Sequence, residues 1–542
     1  MDRSSSPINT HKKTIRVFSV LIPIAFLTIF FYFPFGFILW ESTVVDFDPL
    51  LGLLHDRVFF KILWFTLWQA AASTALTLVI SLPVCYLLAR CKFPGRNILQ
   101  TVLTVPFVLP TVVVGTAFVA LFERFGFNEG SIRINHTIWA VLLAHIFFNI
   151  AVAVRTVTPI WSTLDQRIED QARILGSGPW QTFRWVTFPH LAPAIISAGS
   201  LIFLFCLTSF SVILILGGPA IVTLETEIFR HAIWRGELSI ATALATIQLL
   251  IVVSAVSTAN RLQRRLVINT SSTLPILPKP KLGILLINLI AVSVLVFLPI
   301  ATLIESSFST KDGYSFRNYQ SLFDRTYLLP LTSMEALGNS LKFAVISALI
   351  ALLVGGLASL VITYEQKWLA NFFDLGTTLP LGASAVTVGF GILIALNQPP
   401  FDFHSSQWLI PIVHALIGLP FVVRNLVPAL RSIDNKLREA ASILGANPTA
   451  IRREVDLPIV HKSLIAALGF AFAISIGEFG ATSFLPRSPD HTTAPLILFR
   501  LLGNPGDLLH GQAMALAVVL MLLTAVGLVM INGRETRVRR YR

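Results

Sequence analysis

The chain has 542 residues, of which 54% are hydrophobic and only 13% charged. Soluble domains carry about 25% charged residues, so a water-soluble globular protein is excluded. The net charge of +13 would fit a nucleic-acid binder, but the basic residues gather at the ends of apolar runs, which marks membrane topology instead.

Residues 1–16 carry Arg3, Lys12, Lys13 and Arg16 and read as a cytoplasmic N-terminus. The apolar run from Val17 to Trp40 is too long for a signal-peptide core, and no small-residue cleavage site follows it. It is expected to be an uncleaved span, since about 20 apolar residues cross a bilayer core as a helix. Glu41, Asp46, Asp48 and Asp56 place the next loop outside. Further spans are expected near 62–88, 101–122, 138–156, 194–216 and 240–259, with kinks at Pro106 and Pro110. The basic link from Arg90 to Arg96 returns inside, and residues 217–238, with Glu225, Glu227, Arg230, His231 and Arg235, lie outside. Residues 260–282 are a basic, proline-rich linker of the extended kind. Spans then recur near 283–305, 340–364, 375–397, 407–427, 463–485 and 512–531, before a basic tail at 532–542.

The expected fold is an all-α polytopic membrane protein with about 12 transmembrane helices. Its first transmembrane domain is 17–259 and its second 283–531, with both termini cytoplasmic. A β-barrel would show alternating ten-residue segments, which are missing. Cys85, Cys91 and Cys206 match neither a disulfide framework nor a metal motif and read as small apolar residues.

The halves are copies of one unit. At an offset of 269 positions His145 meets His414, Arg155 meets Arg424 and Asp165 meets Asp434. Nearer the start the offset is 274, so that Ser73 meets Ser347, Pro106 meets Pro380 and Gly115 meets Gly389. Six spans per copy is even, so the repeat is parallel rather than inverted, and a pathway between the halves follows.

The most regular match is a polar loop. Asp170-Gln171-Ala172 leads to Gly176, Pro179 and Pro189, and Glu439-Ala440-Ala441 leads to Gly445, Pro448 and Pro458. The alanines favour helix, the glycines sit where a helix ends left-handed, and Asn447-Pro448 reads as the start of a second short helix, closed by Pro458. A helix–turn–helix on the cytoplasmic face is expected, with its acid at the start of the first helix and free to pair with a partner's arginine.

These loops resemble the E-A-A-x-x-x-G motif of ABC-importer permeases. The second copy matches it fully; the first has Asp170 for Glu and Gln171 for Ala. The resemblance covers nearly the whole chain, as two fused six-span permease units of the type I importer fold. It implies a bacterial inner-membrane permease whose loops are coupling helices on a separate ABC ATPase, a homodimer, with an extracytoplasmic solute-binding protein delivering a small-molecule substrate. The chain lacks a G-x-x-x-x-G-K-[ST] loop, so it is expected to bind no ATP or other cofactor and to catalyse nothing. Fused permeases of this kind resemble the thiamine and ferric-iron importers. The segments Phe205–Phe210, Leu216–Pro219, Thr223–Phe229 and Ser475–Gly480 incline the reading to thiamine.

Glu478 is the carboxylate placed well inside a span, opposite Ser209 at offset 269. An ionisable group there is costly unless it faces a cavity or a partner, so both residues are candidates for the translocation path. The competing reading of Glu478 is a bond to neighbouring backbone that shapes a gate. His145 and His414 read as hydrogen-bonded core residues, and Arg155 and Arg424 as inner-end anchors. Gln69, Asn149, Gln248 and Lys342 either line the path or bridge helices. An ion-coupled secondary transporter is the rival class; it needs coupling carboxylates within spans, and only Glu478 qualifies. A membrane scaffold without transport leaves Glu478 unexplained.

Overall fold

Ten helices among the described residues are long and apolar enough to cross a bilayer, and two helix pairs pass the same test only when taken together. The computed structural model describes residues 19–128, 133–265, 280, 282–326, 329–398, 401–402, 406–485 and 488–532. The expected N-terminal segment 1–16, most of the 260–282 linker and the tail beyond Asn532 lie outside these residues. Apart from two-residue hairpins pairing Ser309–Thr310 with Gly313–Tyr314 and Asn397–Gln398 with Phe401–Asp402, the described secondary structure is helical.

The two pairs correct the expected third span of each half. Arg96–Val108 and Thr111–Arg124 meet at 104°, and Lys367–Pro380 and Ala385–Ala395 at 98°, so these spans are broken rather than kinked. In the first, Leu109 is extended (φ −64°, ψ 140°), as the residue before a proline prefers, and Pro110 caps the next helix. In the second, the break lies beyond Pro380, which sits inside its helix. There Ala383 is extended, and Ser384 Oγ accepts from the Val386 amide at 3.1 Å to start the next helix.

The helices pack into two units. One takes Met1–Phe47 with Leu322–Arg500 and Val519–Arg542; the other takes Asp48–Ser321 with Leu501–Val518. Each unit thus includes the first span of the opposite sequence half, so packing does not follow the contiguous stretches 17–259 and 283–531.

In the unit built mainly from the second half, Ser333–Tyr364, Leu409–Arg431 and Leu457–Ile476 pack on one another. Their contact is rich in alanine: Ala348, Ala351, Ala415, Ala467 and Ala471 are all buried there. Small residues let helix backbones approach where lipid leaves no hydrophobic drive between helices. Gly355 marks the closest approach, since a Cβ there would lie 2.8 Å from Val422 Cγ1. The first span's Phe33–Trp40 segment packs on Ala385–Ala395 in this unit.

In the other unit Arg57–Arg90, Ile138–Thr163 and Phe188–Leu207 form the matching trio, with Ala70, Ala153, Ile202 and Cys206 buried between them. Leu298–Phe308 packs on Thr111–Arg124, and the ion pair Arg124–Glu305 at 3.4 Å sits at the end of that contact. All three cysteines are free thiols and buried.

Candidate functional site

The duplicated loops have one conformation. In the first, Asp165 accepts from the Arg167 amide at 2.9 Å and opens the helix Gln166–Ile174. In the second, Asp434 accepts from the Lys436 amide at 3.0 Å and opens Asn435–Ile443. Gly176 and Gly445 end these helices with φ of +92° and +88°. The Ser177 amide reaches Ala172 O and the Ala446 amide reaches Ala441 O, both at 3.0 Å, closing a Schellman turn in each copy. Nothing crowds either glycine, so the left-handed backbone alone demands it. Pro179 and Pro448 then begin the next short helices, and Asn447 Oδ1 accepts from the Ala450 amide at 2.8 Å.

Two details differ from the sequence reading. Asp170 and Glu439 lie mid-helix, because the capping acids are Asp165 and Asp434, five residues earlier in each copy. Asp170 is exposed and pairs with Arg173 of its own helix at 3.3 Å; Glu439 is exposed. Gln171 and Ala440 are also exposed, whereas Ala172 and Ala441 are half-buried. Nor do Pro189 and Pro458 close the second helix. A π-turn at Phe183–Thr187 and at Arg452–Asp456 precedes each proline, and its wider bonding lets the helix run on into the next span.

The loop tips are apolar and bare. Ile174 and Leu175 are 83% and 86% exposed, Ile443 and Leu444 86% and 87%. Behind each tip lies a polar anchor. Arg90, the last residue of its span, donates from Nη2 to Glu169 Oε1 at 2.9 Å, and Thr187 Oγ1 donates to the same oxygen at 3.0 Å. Arg438 Nε donates to Asp456 Oδ1 at 2.8 Å, and its Nη2 donates to the hydroxyl of Tyr364, likewise the last residue of its span.

The second feature is a pair of apolar helices that stop at Leu207 and Ile476, each followed by a break. His145 bridges Ser73 Oγ at Nδ1 and Ser209 Oγ at Nε2, both at 2.9 Å. His414 holds Ser475 Oγ at 2.8 Å and Thr482 Oγ1 at 2.7 Å, with Glu478 Oε2 3.3 Å from its Nε2. Glu478 accepts from the Ala481 amide at 2.8 Å, the Thr482 amide at 3.0 Å and the Thr482 hydroxyl at 2.5 Å. Both oxygens are therefore taken up within its own unit. Ser209 is likewise held by a histidine, so the two path candidates occupy equivalent positions in the wiring of the breaks. Beyond them, Gly115 and Gly389 let the chain after each break approach: a Cβ would meet Ile215 Cδ1 at 2.9 Å and Ala481 Cα at 2.6 Å.

Short helices follow the breaks and are pinned alike. The Leu224 amide donates to Thr66 Oγ1 at 3.1 Å, and the Ala494 amide to Ser340 Oγ at 2.8 Å. Sequence reasoning missed Glu225, which it placed in an outside polar stretch. Glu225 is buried and accepts from Gln248 Nε2 at 2.9 Å. A signal existed, since Gln248 interrupts an otherwise apolar run. Gln69 bridges to Cys206 O at 3.0 Å and Asn149 to Cys206 Sγ at 3.4 Å, so both tie helices together; Lys342 is exposed, with Gln407 at 3.4 Å. Among the described residues no group of three or more His, Cys, Asp or Glu could hold a metal ion.

The family model described as "Binding-protein-dependent transport system inner membrane component" matches residues 81–268 and again 351–540. The chain belongs to this family. It is 27% identical over 505 residues to the thiamine transport system permease protein ThiP of Brucella abortus (strain 2308), covering 90% of this chain and 89% of that one. It is 24% identical to ThiP of Escherichia coli (strain K12) over 475 residues, 84% and 86% of the two chains. A putative 2-aminoethylphosphonate transport system permease protein, PhnV of Salmonella paratyphi A (strain ATCC 9150 / SARB42), is 31% identical over 231 residues, 42% of this chain and 85% of its own. The chain is a double transport permease of a binding-protein-dependent importer, and each half carries one copy of the family unit.

Proposed function

We propose that this permease carries thiamine into the cytoplasm, driven by two copies of one ABC ATPase docked on its two loops. The docking rests on one observation: both loops end in the same left-handed turn with an Ile-Leu pair more than 80% exposed. Apolar tips of this kind need a cover, and two alike suit two identical partners. The thiamine reading is supported by full-length likeness to thiamine permeases, against half-length likeness to PhnV.

The basic link Arg90–Arg96 beside the first loop supports a cytoplasmic position for the loops and both termini, at a bacterial inner membrane. A solute-binding protein then delivers substrate from the other side. Closure of the ATPases draws the loops together and biases the units between inward-open and outward-open states, a two-state element set from a distant site. The chain itself performs no catalysis and holds no cofactor. Ser209 and Glu478 support the gate from behind, holding the broken helices to His145 and His414 rather than binding substrate. Uptake of labelled thiamine, ferric iron and 2-aminoethylphosphonate by membrane vesicles containing the permease, ATPase and binding protein tests the reading. ATP-dependent uptake of thiamine alone is expected; uptake of either other solute without thiamine overturns the substrate.

A further inference from the structure

We propose that Glu169 and Arg438 are positioning residues that transmit loop movement to the spans, and that the two halves build this joint with inverted charge. The proposal rests on the reading that the loops dock an ATPase.

The three groups of each joint are equivalent by sequence position. Arg90 meets Tyr364 at offset 274; Glu169 meets Arg438 and Thr187 meets Asp456 at offset 269. They also play equivalent structural parts: the end of the second span of the half, the loop helix, and the π-turn that opens the fifth span. In the first joint an acid sits at the centre. Glu169 takes Arg90 and Thr187 on one oxygen, and Arg90 Nη1 continues to Leu164 O at 3.0 Å, at the end of the fourth span of that half. In the second joint a base sits at the centre. Arg438 gives Nε to Asp456 and Nη2 to the Tyr364 hydroxyl, and its guanidinium lies 5.0 Å over the Tyr364 ring. Each partner has changed from donor to acceptor, yet the same three elements stay tied.

The joint faces away from the docking tip. Arg90 and Glu169 side chains are only 4% and 12% exposed, while Asp170, next in sequence, is exposed. Successive helix residues point about 100° apart, so one helix face can grip the spans while another meets a partner. The loop helices have nine residues each. Isolated helices below about 12 residues are marginal, so such a helix holds its place through its tertiary bonds. A pull on the tip therefore passes to the spans through the joint. A charge at the centre of a buried pair also makes it intolerant of one-sided change, because the remaining partner is left uncompensated.

The test uses the full complex in proteoliposomes, with three readouts: ATPase retained on the purified permease, ATP hydrolysed, and thiamine moved per ATP. Glu169→Gln is expected to retain the ATPase and its basal hydrolysis while transport per ATP falls roughly tenfold. Glu169→Arg, which sets two guanidinium groups together, is expected to be worse. The triple variant Arg90→Tyr/Glu169→Arg/Thr187→Asp transplants the second joint into the first half and is expected to regain most of the wild-type ratio. A joint that served only local folding would lower protein yield and leave transport per ATP unchanged. Unchanged coupling in Glu169→Gln, or a folded triple variant no better than Glu169→Arg alone, overturns the proposal. If Glu169→Arg fails to fold, Glu169→Gln and the triple variant still decide it. Failure of the wild-type permease to retain any ATPase sinks the docking reading, and the joint with it; retention with unchanged coupling sinks the joint alone.

Discussion

His145 and His414 occupy equivalent places in the two sequence halves, yet they secure their broken helices by different chemistry. His145 uses two serine hydroxyls, one from the span Arg57–Arg90 and one from the break itself. His414 makes no use of the equivalent span serine: Ser347 is buried with no partner among the described residues. It takes Ser475, where the first half has Cys206, and Thr482, behind which Glu478 stands where the first half has Ser209. The local backbone explains the difference. After the first break a helix resumes at Ser211–Leu216, with the Leu214 amide on Phe210 O at 2.9 Å. After the second break residues 478–485 form turns instead, and the Ala481 and Thr482 amides have no helical acceptor. Glu478 supplies it. Glu478 thus serves two turn amides as well as lying beside His414, whereas Ser209 serves His145.

The sharpest way to break this comparison is Glu478→Ala. It strands two buried amides, each costing about 1–3 kcal/mol, and takes one acceptor from the Thr482 hydroxyl. A large fall in the thermal unfolding midpoint of the detergent-purified protein is expected; wild-type unfolding would show that the carboxylate has no such role. Next come Gly176→Ala and Gly445→Ala. Each forces a side chain into a left-handed turn at about 1–2 kcal/mol. Because the turns are alike, equal losses are expected in hydrogen-exchange protection of the two loops, and a one-sided loss would contradict their equivalence. Ser209→Ala removes a single hydrogen bond from His145 and is expected to cost about 1 kcal/mol, well below Glu478→Ala in the same unfolding assay.

The smallest effect concerns pH. His231 has Glu227 Oε2 3.2 Å from Nε2 and Glu237 Oε2 2.6 Å from Nδ1, with Arg235 at 3.4 Å. The bond to Glu227 raises its pKa against the opposing pull of burial, and Glu237 adds to the rise. Burial alone would raise Glu227, but His231 and Arg230 outweigh it and hold its carboxyl below the usual range. The His231 contribution is full below about pH 6.5 and is lost as pH climbs through the raised value. The Glu227 contribution is full above about pH 4.3 and is lost as pH falls through the lowered value. Stability from this cluster therefore peaks in the mildly acidic range. His231→Gln is expected to flatten the alkaline side of that profile. In the second half, at the offset of 270 that pairs Leu224 with Ala494, Leu501 stands at the equivalent position and has no group to titrate, so no matching change is expected there.

Much of this was legible in the sequence because it depends on composition and spacing. Apolar runs gave the spans, and the Gly176 and Gly445 positions gave the left-handed turns. The breaks were not legible. Pro110 looks like a kink, and only its neighbour's extended backbone turns the kink into a right angle. The exchange of first spans between units leaves no local trace, since any apolar helix satisfies the same composition. Glu169 and Arg438, next to Asp170 and Glu439, carry no motif, and opposite charges at matched positions look like drift. Only coordinates reveal that Arg90 and Tyr364 changed with them.

The account stands most directly on the loop tips. We would express the permease with its ATPase and measure how much ATPase stays bound through gel filtration, for the wild-type chain and for Leu175→Asp/Leu444→Asp. Both leucines are more than 80% exposed, so the substitutions leave the fold untouched. The account predicts a bound ATPase pair on the wild-type protein and its loss from the double variant at an unchanged permease elution volume. Full retention by the double variant would contradict it.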